Sequence, residues 1–132
     1  KWISSKGNLF VSFFNELNKK NLSINAITKI NCLLVKRLLS KFTNKKILFK
    51  KPNDLLIDKK KISGILQEII SVKDKKFLIT GIGINITKNP NIRNYPATNL
   101  QEVNKKSISK LKVENKLKEI FEKNLSKFYK IK

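Results

Sequence analysis

The fold of this 132-residue chain is decided by residues 61–86, which read KISGILQEIISVKDKKFLITGIGINI. Two runs rich in β-branched residues, Ile62 to Val72 and Lys76 to Ile86, flank the polar triplet Lys73-Asp74-Lys75. This pattern predicts two long strands joined by a tight turn.

Three more strands are predicted on the N-terminal side of this pair. They cover Asn8 to Phe14, Ile47 to Phe49 and Leu55 to Ile57. Pro52 separates the last two because its ring removes a backbone donor, and Asp58-Lys59-Lys60 reads as a hairpin turn. Strands that follow one another through short turns indicate an antiparallel or mixed sheet rather than repeated βαβ units.

Two amphipathic helices are predicted from apolar residues spaced three or four apart. The first begins at Ser23 or Asn25, runs for roughly twenty residues and ends before Asn44. The second is C-terminal, after a loop that contains Pro90 and Pro96. Its apolar positions are Val113, Leu117, Ile120, Phe121, Leu125 and Phe128.

The expected fold class is therefore α+β, with a mixed, largely antiparallel sheet and helices on one side. We expect a single domain over residues 1–132, since this length supports one core. The chain starts at Lys1 and has no methionine, from which we expect it to be a fragment or a processed piece of a longer protein. No apolar run approaches the roughly 18 residues of a membrane span.

The chain is strongly basic, with 30 Lys and Arg against 9 Asp and Glu and a net charge of +21. Basic domains attract nucleic acid, but Arg37 and Arg93 are the only arginines, and the lysines are spread along the whole chain. Lysine lacks the planar fork with which arginine recognises phosphate and guanine. We interpret the charge as compositional bias and expect no nucleic-acid partner, with a basic binding module as an alternative.

Missing residue types exclude several kinds of chemistry. With no histidine, this chain holds no Ser-His-Asp or Cys-His nucleophile and no His-based zinc site. Its one cysteine, Cys32, forms no internal disulfide and lies in an apolar helical stretch, which favours a buried structural thiol in a reducing cytoplasm.

The candidate ligand-binding site is predicted around the glycines. The chain has only four, and three of them, Gly64, Gly81 and Gly83, lie in the two long strands. Strand alternation places Gly81 and Gly83 on one sheet face, which predicts a floor free of side chains where backbone approaches a ligand. Close packing of a helix explains the same pattern equally well.

A lysine and an acid-amide pair are the candidate reactive groups. Lys61 begins the strand that carries Gly64 and would place a cation near developing negative charge, although most lysines are solvated. Asn53-Asp54 follows Pro52 at a bend. It is either an Asx-type turn or an amide that positions polar groups beside a carboxylate that orients an attacking amine.

Four ordered motifs resemble the catalytic core of the biotin protein ligases over roughly residues 1–102. Lys1-Trp2-Ile3-Ser4 with Gly7 to Ser12 is similar to the segment after the family's arginine-rich adenylate loop. Lys50-Lys51-Pro52-Asn53-Asp54 resembles its Lys-Trp-Pro-Asn-Asp motif, Lys61 to Glu68 its Lys-Leu-Ala-Gly-Ile-Leu strand, and Gly81 to Asn85 its Gly-x-Gly-x-Asn. Tyr95 to Leu100 is similar to a loop that often follows.

The resemblance implies an α+β domain related to class II aminoacyl-tRNA synthetases. It implies an enzyme that joins biotin to AMP using Mg²⁺ and ATP and then passes the biotinyl group to a lysine of a biotin carboxyl carrier protein. It implies that Lys61 contacts the biotin carboxyl and α-phosphate and that Asp54 helps the acceptor lysine. Biotin or adenylate would be bound by Trp2, Asn8, Lys50, Asn53, Gly64, Gly81, Gly83 and Asn85. No residue is assigned as a metal ligand, and both a monomer and a homodimer are compatible with the resemblance.

Two departures from the family pattern bear on activity. Lys51 stands where the family has tryptophan, and neither the arginine-rich loop nor the family's C-terminal β-barrel is found in these residues. We expect the complete protein to be active and these residues alone to be weakly active or inactive. A lipoate or octanoate ligase of the same fold is the alternative enzyme.

Overall fold

The computed structural model of the chain describes residues 6–17, 23–89 and 96–128, with side chains as far as Asn124. Its elements are β1 (Leu9–Leu17), α1 (Ile24–Leu39), β2 (Leu48–Lys50), β3 (Asp54–Ile57), β4 (Lys60–Val72), β5 (Lys75–Ile84), α2 (Leu100–Asn104) and α3 (Lys110–Phe128). None of the described helices is both long and apolar enough to cross a bilayer.

The five strands form one open antiparallel sheet in the order β1-β5-β4-β3-β2. The long β4–β5 pair lies at its centre, as the sequence predicted, and continuous pairing runs from Ser63↔Ile84 to Val72↔Lys75. At the β3–β4 turn, Asp58 and Lys59 have φ values of 51° and 65°, the left-handed pair that suits the twist of a hairpin. The predicted α+β class is confirmed.

Helix α1 begins where the sequence predicted but ends earlier. Ser23 caps it by accepting a hydrogen bond from the Ala26 amide at 3.1 Å. The last helical residue is Leu39, because the Ser40 hydroxyl donates to the Lys36 carbonyl at 2.8 Å and such local bonds favour the end of a helix over its continuation. The helix is therefore 16 residues long rather than about twenty.

The hydrophobic core lies between one face of the sheet and the helices. The Phe13 ring on β1 stacks on Phe121 of α3 with centroids 4.7 Å apart, while Ile82 and Ile84 of β5 are fully buried. Leu125 and Phe128, also predicted for the apolar face of α3, lie beyond the described side chains. Aromatic stacking between β1 and α3, beside the buried C-terminal half of β5, fixes the sheet against α3.

A buried asparagine, Asn8, closes the loop that follows β5. Its side-chain oxygen accepts hydrogen bonds from the backbone amides of Ile86, Thr87 and Lys88 at 2.9, 3.0 and 3.1 Å. Its amide donates to the Lys88 carbonyl at 3.0 Å and to the Asn85 side chain at 3.3 Å. The residue before β1 therefore determines the path of the chain as it leaves β5.

Replacing Asn8 should destabilise the fold through this loop. Asn8→Ala leaves one buried and two part-buried backbone donors without their acceptor. A buried unsatisfied group costs roughly 1–3 kcal/mol and part-buried ones less, so we expect a loss of about 3 kcal/mol in the free energy of unfolding. Urea denaturation of the whole protein measures it. Asn44→Ala, at an exposed position, is the control, and equal stability of the two variants would contradict the role of Asn8.

The buried thiol of Cys32 predicts a pH dependence of stability. Burial, with a smaller contribution from the negative charge of Asp54, raises the pKa of Cys32 from 9.0 to about 12. Above pH 9 the unfolded chain loses this proton and the folded chain keeps it, so folding becomes less favourable by up to ~1.4 kcal/mol per pH unit until about pH 12. Relative to Cys32→Ala, the wild-type protein should lose stability between pH 9 and 11; a constant difference would show that the thiol does not titrate this way.

Candidate functional site

One row of paired residues crosses the whole sheet and carries the candidate site. The direct pairs are Phe10↔Gly83, Gly83↔Gly64, Gly64↔Asp54 and Asp54↔Lys50. Directly paired residues of neighbouring strands share a face, so two glycines lie side by side between an aromatic ring and a carboxylate. Four residues predicted for the site are thus brought together.

The opposite faces of β5 differ as the alternation predicted. Ile82 and Ile84 point into the core and are 0% exposed, which leaves Gly81 and Gly83 on the other face. The prediction that this floor carries no side chain is wrong at Gly81, where an added Cβ would lie 2.8 Å from Cζ of Phe10. Because Gly81 has no side chain, the Phe10 ring from β1 leans across it, as aromatic residues do beside glycine in sheets.

The reactive pair predicted from the sequence is an ion pair. Lys61 Nζ lies 3.1 Å from Asp54 Oδ1, with the two side chains 17% and 9% exposed. At this separation and burial the attraction is much stronger than between surface charges, since solvent screens it less. The pair therefore fixes a cation and an anion at the end of the row of glycines.

A β-bulge puts Lys61 on the same face as Asp54. Leu55 pairs with Ser63 but Leu56 pairs with Lys61, so Ile62 is an extra residue in β4. In a regular strand Lys61, three residues from Gly64, would point to the opposite face. Bulges often re-aim side chains beside active sites, and here the extra residue reverses the side on which Lys61 emerges.

The backbone around the bulge is held by the loop before α2. The Lys61 amide donates to the Pro96 carbonyl and the Thr98 amide donates to the Lys61 carbonyl, both at 2.9 Å. The Asn85 amide donates to the Ile62 carbonyl at 2.9 Å, which satisfies the residue that the bulge takes out of the ladder. The backbone at Lys61 and Ile62 is therefore held by two segments that are distant in sequence, the loop at Pro96–Thr98 and Asn85 directly after β5.

The side chain of Asn85 completes this support. It is 1% exposed, and its amide donates to the carbonyls of Thr98 at 3.1 Å and Lys61 at 3.4 Å, while its oxygen accepts from Asn8. In this geometry Asn8 and Asn85 bind protein groups around the lysine, so each acts on the site by positioning. Direct contact of either residue with a nucleotide stays a prediction.

Asn53 has a comparable structural role on the other side of Asp54. Its side-chain amide donates to the Ile65 carbonyl at 2.6 Å, and the Ile65 amide donates to the Asn53 carbonyl at 3.0 Å. These two hydrogen bonds to β4 hold the bend after Pro52 and so set the start of β3 at Asp54. Lys50, exposed on the edge strand β2, ends the row.

Sequence reasoning missed two features of this site, Phe10 and the bulge. Phe10 belongs to an alternating strand opposite Gly83 and is 42% exposed, so the register of β1 against β5 would have revealed it. Trp2, predicted beside the adenine, lies outside the described residues. Within residues 6–17, 23–89 and 96–128, no three His, Cys, Asp or Glu side chains come together as metal ligands.

Comparison with known proteins agrees with these motifs. The profile of the Biotin/lipoate A/B protein ligase family matches residues 1–85. A biotin protein ligase from Aquifex aeolicus, solved in complex with biotin and ATP, is 35% identical with a TM-score of 0.78, over 98% of this chain and 54% of that one. The biotin protein ligase of Leishmania major with biotinyl-5-AMP is 25% identical, with a TM-score of 0.76 over 97% of this chain and 58% of that one.

A lipoate ligase shares the fold at lower identity. The bipartite lipoate protein ligase of Thermoplasma acidophilum is 14% identical, with a TM-score of 0.69 over 91% of this chain and 52% of that one. The chain spans about half the length of each of these structures. The profile match and the 35% identity over nearly the whole chain show that the chain belongs to the biotin/lipoate A/B protein ligase family.

Proposed function

We propose that this chain is part of an ATP-dependent ligase that converts biotin to biotinyl-5′-AMP and transfers the biotinyl group to a lysine of a biotin carboxyl carrier protein. The observation that carries the proposal is the Lys61–Asp54 ion pair, 3.1 Å long and largely buried, at the end of the row with Gly64 and Gly83. Such a site supplies both charges that acyl activation and acyl transfer need.

In the first step, an oxygen of the biotin carboxylate attacks the α-phosphorus of ATP and pyrophosphate leaves. Negative charge builds up on the α-phosphoryl oxygens, and the Lys61 ammonium is placed to stabilise it. A cation fixed beforehand in a poorly solvated site needs no reorganisation during the reaction, which is the main source of such stabilisation. Asp54 and the bulge keep Lys61 in this orientation.

The glycine face supplies the space for the mixed anhydride. Gly64 and Gly83 are directly paired, so no Cβ atom separates a bound adenylate from the backbone of β4 and β5 at this point. The Phe10 ring, half-exposed beside them, offers an apolar surface for a bicyclic or planar group. The residues present thus fit a ligand that is flat, partly apolar and anionic.

In the second step, the acceptor lysine amine attacks the acyl carbon and AMP leaves, so that an amide bond replaces the anhydride. The amine must lose a proton to attack, and a nearby carboxylate orients it and takes up this proton. Asp54 is placed for this role because it lies in the same row as the glycines. The two members of the ion pair therefore serve successive steps.

In this proposal Mg²⁺ binds together with the nucleotide, as MgATP. The described residues form no carboxylate cluster, and Mg²⁺ commonly binds through substrate phosphates, water and few protein ligands. Lys50 and Lys61 would then lie near the phosphates. We place the enzyme in the cytoplasm, where a single buried thiol such as Cys32 stays reduced.

The identity of the activated acid distinguishes biotin from lipoate. The higher identity to the biotin ligase, 35% against 14% for the lipoate ligase, favours biotin. The whole protein should catalyse pyrophosphate–ATP exchange with biotin and not with lipoate or octanoate. Exchange with lipoate alone would assign the chain to the other branch of its family.

Lys61→Ala should abolish most of this exchange. Removing a fixed cation beside the reacting phosphoryl group is expected to lower the exchange rate about 100-fold or more, equivalent to ~2.7 kcal/mol of transition-state stabilisation. Lys60→Ala is the matched control, since Lys60 is the exposed neighbour on the same strand. Equal rates in the two variants would refute the role of Lys61.

Asp54→Asn should slow transfer more than activation. Asparagine still accepts a hydrogen bond from Lys61 but takes up no proton, so we expect transfer from preformed biotinyl-AMP to fall about 100-fold and exchange to fall less than about tenfold. Asp58→Asn, at an exposed turn, is the control. Thermal melts of both variants verify folding, and unchanged transfer in Asp54→Asn would leave Asp54 with a structural role only.

A further inference from the structure

A groove of about 310 Å³ lies beside the bend that leads into Asp54. It is formed by the first turns of α1 and by the end of β2 with the residues after it. Its lining residues are Asn25, Thr28, Lys29, Phe49, Lys51 and Pro52. The groove therefore opens next to the candidate site but is separate from the glycine face.

The groove combines apolar lining residues with positive charge. Phe49, 41% exposed, and Pro52 are both lining residues and give the groove an apolar surface accessible to solvent. Lys29 and Lys51 are exposed and give the lining two cations, while none of its residues is acidic. Charge complementarity selects a partner that carries carboxylates beside an apolar side chain.

The groove is connected rigidly to Asp54. Pro52 precedes Asn53, which is bonded through both its side chain and its backbone to Ile65 of β4. Pro52 and Asp54 are two residues apart, a span of at most about 7 Å. Phe49 pairs with the core-facing Leu55, so the groove opens on the helix side of the sheet, and a polypeptide that leaves it around the bend at Pro52 comes to the face on which Asp54 lies. A bound small molecule would gain nothing from this connection, whereas a carrier that must present a lysine to Asp54 would.

We propose that this groove docks an acidic and apolar segment of the carrier domain that flanks the acceptor lysine. This inference rests on the proposed function. Lys29 and Lys51 contact the carboxylates of that segment, and its apolar side chain packs on Phe49 and Pro52. The groove thus contributes to binding of the protein substrate and not to activation of the acid.

The test compares two charge reversals of equal size. Lys29→Glu changes the groove, whereas Lys75→Glu changes an exposed lysine at the far end of β5. Lys75 pairs with Val72 of β4. Val72 is eight residues from Gly64 on the same strand, a distance of about 26 Å. Both variants lower the net charge of +21 by the same amount, so general attraction to an acidic partner changes equally.

In the whole protein, Lys29→Glu should raise the KM for an apo biotin carboxyl carrier domain about tenfold or more, and Lys75→Glu less than about twofold. Biotin-dependent pyrophosphate exchange should stay within about twofold of wild type in both variants. Adding Lys51→Glu to Lys29→Glu should raise the KM further, and the salt dependence of the KM should weaken with each reversal.

Three results would overturn the proposal. Equal KM values for Lys29→Glu and Lys75→Glu would remove the groove from carrier binding. Loss of exchange in Lys29→Glu with an unchanged carrier KM would assign the groove to a small substrate. Competition by a 20-nucleotide single strand that disappears in Lys29→Glu, again with unchanged carrier KM, would assign it to nucleic acid. By contrast, a wild-type protein without biotin-dependent exchange would refute the proposed function itself, and the carrier proposal with it.

Discussion

One extra residue in a central strand determines the geometry of the site. Without Ile62 as the bulged residue, strand alternation would point Lys61 and Asp54 to opposite faces of the sheet. With it, the two charged groups lie 3.1 Å apart beside directly paired glycines. The rest of the site depends on this change of register because neither the glycine face nor the carboxylate alone provides a fixed cation.

A bulge breaks ladder hydrogen bonds, and the chain replaces them from distant segments. Asn85 donates to the Ile62 carbonyl through its backbone and to the Lys61 carbonyl through its side chain, while the Pro96–Thr98 loop bonds both backbone groups of Lys61. Asn8 then ties Asn85 to the start of β1. A polar network of this kind gives a buried site a single arrangement, which explains why Asn8 and Asn85 are buried.

The sequence predicted the elements and the composition of the site but not its geometry. Apolar spacing located α1, α3 and all five strands, because burial of one face requires a fixed period, and alternation correctly separated Gly81 from Ile82. The five-residue helix α2 is too short to show such a period and was not predicted. The bulge could not be predicted, since it depends on which residue of β3 opposes Lys61. The ring of Phe10 over Gly81 and the bonds of Asn8 to Asn85 and to the loop after it likewise arise from contacts between segments more than seventy residues apart in sequence.

The burial of the Lys61–Asp54 pair also bears on the order of the proposed steps. Removing two charges from water costs energy that their attraction only partly recovers, so a buried pair contributes little to stability, although removing one partner is costly. When an anionic phosphate reaches Lys61, the lysine gains a second counter-charge and its hold on Asp54 weakens. On the proposed function, Asp54 therefore becomes available to the incoming amine once a nucleotide phosphate is bound at Lys61. The ion pair then couples the role of Asp54 in transfer to occupancy of the nucleotide site.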